Sequence, residues 1–335
     1  MQNFLDPAIL FFVFGVVAGL LRSDLEVPQP IAKFLSLYLL MAIGLKGGFA
    51  LAASGLEPSI ALSLGAAMTM AFLVPVLGYS FLKTRVSRFD AAAVAASYGS
   101  VSAVTFVTAM QYLDGKGLAP GGHMAVAMVL MESPAVIVAV TLANMLRHER
   151  VASVATVAVS SSGTAVMQGA PGTSITKILH ESLTNGVHLL LIASLLIGYL
   201  SGDAGKAMMQ PFSFDLFKGM LAFFLLDMGL TVAKNLGSVR GKSPVLIAYA
   251  ALAPLVHATI ALVLSVALGL PVPDATLLMV LSASASYIVV PAVLRYAIPE
   301  ANPSMYLGLA LGITFPLNIL IGIPLYTYAA QAVLS

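Results

Sequence analysis

The sequence predicts an all-α membrane protein: ten transmembrane helices in two inverted five-helix repeats, with discontinuous fourth and ninth helices that cross. Three observations lead there. The 335 residues are 59% hydrophobic and only 9% charged, with a mean hydropathy of +0.99, far from the roughly 25% charged residues of soluble domains. Apolar runs of about 20 residues, enough to cross a ~30 Å hydrocarbon core, recur along the whole chain. Two short motifs set 184 residues apart, Gly99-Ser100-Val101-Ser102 and Ala283-Ser284-Ala285-Ser286, interrupt two of those runs.

The ten runs cover 7–21, 28–53, 58–82, 90–112, 121–146, 178–200, 211–235, 243–269, 274–297 and 302–333. The first is short, but Asp6 precedes it where a secretory signal would carry basic residues, so it reads as a retained span. The second holds Gly44-Leu45-Lys46-Gly47-Gly48, and the fourth opens at Asp90 and carries the first break. The fifth contains Met131-Glu132-Ser133-Pro134. After Arg147-His148-Glu149-Arg150 no charge appears until Lys177; this Ser, Thr, Val and Ala-rich stretch reads as a flexible linker, with a short hairpin over 154–159 as the alternative. Residues 1–150 thus form one repeat, 151–177 a cytoplasmic linker and 178–335 the second repeat. In that second repeat His180-Glu181 opens the sixth span, Asp227 and Gly229-Leu230 lie in the seventh, His257 in the eighth, and the ninth opens at Asp274 and carries the second break.

Matches between the halves keep a nearly constant offset: Gly44 with Gly229, Asp90 with Asp274, Ser100 with Ser284, Tyr112 with Tyr296 and Pro134 with Pro316, at 185, 184, 184, 184 and 182 residues. Five spans is an odd number, so the second repeat enters the membrane from the opposite side. With ten alternating spans, 12 of the 16 Lys and Arg fall on one face, which the positive-inside rule makes cytoplasmic; both termini then lie outside. Cysteine is absent, excluding disulfides and thiolate chemistry. A net charge of +2 gives no reason to expect a nucleic-acid partner; the lipid bilayer is the expected surrounding.

Asp90 and Ser100 are ten residues apart, about 15 Å of helix, which puts the break near mid-bilayer; Asp274 and Ser284 repeat that spacing. Irregular backbone at that depth is tolerated only where protein buries it or it lines a cavity. Half-helices starting near Ser102 and Ser286 offer free N–H groups to an anion, and those ending near Tyr98 and Ala283 offer carbonyls to a cation. Ser100, Ser102, Thr105, Ser284 and Ser286 add hydroxyls that serve either ion. Asp90 and Asp274 read as helix caps rather than ligands.

Glu132 lies within a span, where ionisable groups point to function. With a carbonyl freed by Pro134 it could hold a hard cation, or it could tie helices together. Lys46 either neutralises Asp227 in the equivalent span or extends to the interface. His188 and His257 read as packing residues. Ser133 has only Glu132 beside it and no His falls near the breaks by spacing, so the chain is not expected to be an enzyme.

Four strings, Tyr98-Gly99-Ser100-Val101-Ser102-Ala103-Val104-Thr105-Phe106, Ile43-Gly44-Leu45-Lys46-Gly47-Gly48, Ser284-Ala285-Ser286-Tyr287 and Ile298-Pro299-Glu300-Ala301-Asn302-Pro303-Ser304, resemble the bacterial sodium-dependent bicarbonate transporter family in order and spacing. The resemblance implies Na⁺-coupled symport of bicarbonate across a bacterial inner membrane by an elevator movement, in a homotrimer, with a PII-like regulator at the cytoplasmic face in cyanobacterial members. It places the anion between Gly99, Ser100, Val101, Ser102 and Ser284, Ala285, Ser286. Na⁺ is then expected at Tyr98, Ser100, Thr105, Glu132, Ala283 and Ser286, with no other cofactor. Other anions or carboxylates, cation/proton exchange on the same architecture, and a non-transporting membrane sensor are the alternatives; exchangers usually place acids at the crossing, and neither break holds one.

Overall fold

The computed structural model describes residues 6–55, 58–158, 186–237 and 242–334, which are helical nearly throughout and contain no strand. Twelve helices follow in order: α1 (Pro7–Leu20), α2 (Gln29–Ser54), α3 (Pro58–Leu82), α4 (Arg88–Gly99), α5 (Ala103–Gly115) and α6 (Met124–Ala158), then α7 (Gly186–Gln210), α8 (Phe217–Leu236), α9 (Pro244–Leu268), α10 (Val272–Ala283), α11 (Val289–Ala297) and α12 (Pro303–Leu334). Short polar residues start many of them. Asp6, Ser87, Ser102, Ser243 and Asn302 each accept a hydrogen bond from a backbone N–H of the first turn.

Among the described residues seven stretches are long and apolar enough to cross a membrane, and Pro7–Leu20 and Val272–Ala283 are shorter apolar helices. One of the seven, Leu189–Leu236, is 48 residues long and passes through the non-helical Gly202 (φ 53°, ψ −144°) and a π-helical turn at Pro211–Asp215. The predicted linker is corrected at its start. α6 continues as helix to Ala158, because an Ala and Val-rich run extends an existing hydrogen-bond ladder more readily than it begins a hairpin. The rest of the linker and His180-Glu181 lie outside the described residues, as does the side chain of His188.

The helices pack as two groups. α1 lies along α8 and α2 along α7; α3, α4 and α6 pack together, as do α9, α10 and α12. Glycines set the distance in the first group, since a Cβ on Gly15 would fall 2.3 Å from the Leu226 carbonyl oxygen and one on Gly48 2.1 Å from that of Leu195. Without a hydrophobic drive between helices in lipid, such close backbone approach is a main source of packing energy. Tyr38 on α2 also hydrogen-bonds the carbonyl of Phe212.

Lys46 is corrected in its partner. It pairs with Asp114 at the end of α5 (3.5 Å), not with Asp227, and its ammonium lies 4.2 Å from the ring centre of Phe217 and 4.8 Å from that of Phe214. The rings give the buried stem a favourable face. His257 is buried among apolar residues, with its Nδ1 unpartnered among the described residues.

Candidate functional site at two meeting helix breaks

α4 ends at Gly99 and α5 starts at Ala103, with Ser100 (φ −99°, ψ 177°) and Ser102 (φ −106°, ψ 111°) extended between them. Gly99 is needed for space: a Cβ there would sit 2.6 Å from the ring of Pro75 on α3. α10 ends at Ala283 and leads through extended Ser284 (φ −82°, ψ 167°) to α11. Here the structure corrects the expected start near Ser286, because α11 begins at Val289. Pro291 within its first turn has no N–H, so α11 offers fewer donors than α5.

The two breaks touch. The Ser286 N–H donates to the Ser97 carbonyl (2.7 Å) while the Ser97 hydroxyl donates to the Ser286 carbonyl (2.6 Å). One turn away the Ser102 N–H donates to Ser284 Oγ (3.0 Å), whose own proton goes to the Leu281 carbonyl (2.8 Å). Backbone freed by one break is thus met by the other, and burial of Ser97, Ser100, Val101, Ser102, Ser284, Ala285 and Ser286 is at least 96%.

The predicted residues divide by what they already bond. Ser102 caps α5, accepting from the Thr105 N–H (3.2 Å) and from Thr105 Oγ1 (3.0 Å). With the Thr105 N–H met, those of Ala103 and Val104 still have no partner within the helix. Tyr98 shares a hydrogen bond with Thr314 (2.6 Å), which donates to the Ala250 carbonyl (2.7 Å). The Ala283 carbonyl already accepts from Asn318 Nδ2 (2.8 Å), and Asn318 Oδ1 accepts from Tyr326 (2.9 Å); the second carbonyl lone pair is what a cation could use. Ser286 Oγ accepts a long bond from the Val290 N–H (3.4 Å). Ser100 Oγ stands apart, buried with no partner among the described residues, and Ser282 Oγ matches it at the other break. The Tyr287 hydroxyl approaches Ser102 without completing a well-formed bond. Glu132 is 5% exposed on α6, which packs on α4 and α11.

Ser97, Ser282 and Asn318 were not selected from sequence. Ser97 and Ser282 each fall two or three residues before a chosen serine, a local signal; Asn318 is 35 residues from its carbonyl, and nothing local marks it.

Asp90 and Asp274 are not the caps themselves, which are Ser87 and Pro271. Asp90 accepts the Ser87 proton (2.6 Å) and the Asn302 N–H at the start of α12 (2.7 Å). Asp274 accepts the Gly121 N–H ahead of α6 (2.7 Å) and lies 3.5 Å from His123 Nε2. Each acid therefore ties its broken helix to the helix that starts beside it in the other half.

The family model of the Na⁺-dependent bicarbonate transporter superfamily matches residues 7–331, nearly the full chain. The chain belongs to that superfamily. Membership makes it a multi-pass membrane protein of transport function and points away from an enzyme. No curated protein sequence gives a significant match. Within Ile298–Ser304 the structure shows what each polar residue does. Glu300 binds Arg147 through Nε and Nη2, both at 2.8 Å, Asn302 caps α12, and the Ser304 hydroxyl accepts from Lys242 (3.0 Å). A short loop thereby joins α4, α6, α9 and α12 at one end of these helices.

Proposed function

We propose that this protein is a secondary transporter that imports bicarbonate together with Na⁺, both held where the two breaks meet. The observation that carries this is the pairing of Ser97 with Ser286 and of Ser102 with Ser284, which brings helix termini of both signs into one buried volume. Bicarbonate takes the N–H groups at the start of α5 with Ser100, Val101, Ser102, Ser284 and Ala285 around it. Na⁺ takes carbonyl and hydroxyl oxygens of Tyr98, Ser100, Thr105, Ala283 and Ser286, with Glu132 contributing. Ser282 joins that set: in the repeat correspondence Glu132 stands to Ser282 as Thr314 stands to Tyr98, and Thr314 bonds Tyr98. A bound cation offsets the anion's charge, and moving the anion alone through mid-membrane costs several kcal/mol, which couples the two.

Ten spans in two inverted repeats fit the helices. Leu189–Leu236 extends about 72 Å as helix, enough for two crossings of a ~30 Å core, and the short α1 and the broken α10–α11 account for the others. The reciprocal contacts fit as well: α1 with α8 and α7 with α2 exchange under the repeat, as do Asp90–Asn302 and Asp274–Gly121. The group α1, α2, α7, α8 is then a fixed scaffold past which the other helices carry the site as an elevator. A homotrimer, a bacterial inner-membrane location with both termini outside, and a PII-like partner at the cytoplasmic face complete the proposal. Proteoliposome uptake of labelled bicarbonate with and without a Na⁺ gradient tests it. Accumulation is expected only with the gradient; uptake of another anion alone, proton-for-cation exchange, or binding without flux would replace it with one of the alternatives.

A further inference from the structure

A crevice of about 460 Å³ separates α1 and α8 from α5 and α12, the seam between the two helix groups. Its mouth carries Asp6 and Lys116, on the face poor in basic residues. Going inward along α5, Lys116 to Thr108 is about 12 Å of rise, and Thr108 to Ser102 about 9 Å more. On the opposite wall Ile319 follows Asn318, the residue that bonds the Ala283 carbonyl at the second break. The inner end of the crevice therefore lies on α5 and α12, which carry Ser102 and Asn318, each bonded at a break.

Two polar side chains of α5 line it and differ in one respect. The Thr108 hydroxyl donates to the Val104 carbonyl (2.9 Å). Gln111 is 92% buried, faces the crevice and makes no hydrogen bond to any described residue. A primary amide carries two donors and an acceptor, and here these atoms open onto the crevice, where water or a ligand can meet them.

We propose that this crevice is the outer vestibule of the ion site and that Gln111 is the contact a small oxyanion makes on its way inward. This rests on the transport reading above. Bicarbonate suits the amide on both sides, since its oxygens accept from the NH₂ and its hydroxyl donates to the carbonyl. Lys116 and Asp6 at the mouth attract anion and cation respectively, and relative movement of the two helix groups would close the space between them.

The chain contains no cysteine, so a single Gln111→Cys reports its own accessibility without background. In intact cells a membrane-impermeant methanethiosulfonate is expected to modify Gln111→Cys from outside, and Na⁺ with bicarbonate to slow the reaction several-fold. Lys33→Cys, on the basic face, should react only after permeabilisation. In liposomes Gln111→Leu should raise the KM for bicarbonate several-fold with little change in maximal rate. If the unsubstituted chain imports bicarbonate but Gln111→Cys is unreactive from outside, or reacts at a rate that substrate does not alter, the vestibule is wrong and the transport reading stands. An unchanged KM in Gln111→Leu would overturn the role of the amide. Substrate-sensitive labelling with no uptake of any kind would overturn transport and leave a binding crevice.

Discussion

Ser102 performs two tasks that a single substitution separates poorly but a pair can resolve. Its hydroxyl caps α5, so Ser102→Ala costs about 1 kcal/mol of stability and also removes an oxygen from the proposed site. Ser286 Oγ makes only the long bond to Val290, so Ser286→Ala should cost less stability. Both should lower Na⁺-dependent bicarbonate uptake; unchanged uptake in both, with protein amount and melting controlled, would remove the site. Ser282→Ala touches no hydrogen bond in the described structure, so it should leave the melting temperature near that of the parent while raising the Na⁺ concentration for half-maximal uptake. At this scale the sequence exposed Ser100, Ser102, Ser284 and Ser286, because small polar residues interrupting apolar runs are locally visible. It did not expose Asn318 or the Asp114 partner of Lys46, whose partners are 35 and 68 residues away and are set by packing.

The broken helices show how an element can end without a loop. Ala283 needs an external partner for its carbonyl, and Asn318 supplies it from a π-helical turn, Asn318–Gly322, beside Pro316. Asn318→Leu should leave that carbonyl buried with one partner fewer, a loss of about 1–3 kcal/mol readable as a lower melting temperature in detergent. The seams of α1 with α8 and α2 with α7 depend instead on absent side chains. Gly48→Leu would force α2 away from α7 and should destabilise the protein by more than the 1–3 kcal/mol typical of overpacking, since the nearest atom is backbone. Helix existence and approximate bounds were legible from hydropathy, while the start of α11 at Val289 was not. Ser286 and the two residues after it remain non-helical because that segment is held by the partner break, which local propensity does not encode.

Across the whole molecule the ion pairs differ in whether they join or cross the helix groups. Arg147–Glu300 joins helices of one group through two 2.8 Å contacts, so Arg147→Ala should lower thermal stability by about 1 kcal/mol. Lys46–Asp114 crosses from α2 to α5 and is partly exposed, with Asp114 at 40%, so it contributes at most about 1 kcal/mol. If the groups slide during transport this contact must break. Asp114→Asn should then alter the transport rate measurably while leaving the melting temperature almost unchanged.

Composition alone placed this chain in a membrane, and its polar interruptions alone located two helix breaks, because a bilayer imposes its thickness on every span and forbids unpaired backbone. Only the tertiary structure decided which peptide groups of one break satisfy the other, which residues outside the motifs bond to the breaks, and where a crevice opens between the helix groups. Those choices depend on contacts between residues up to 216 positions apart, and no local pattern records the distance between them.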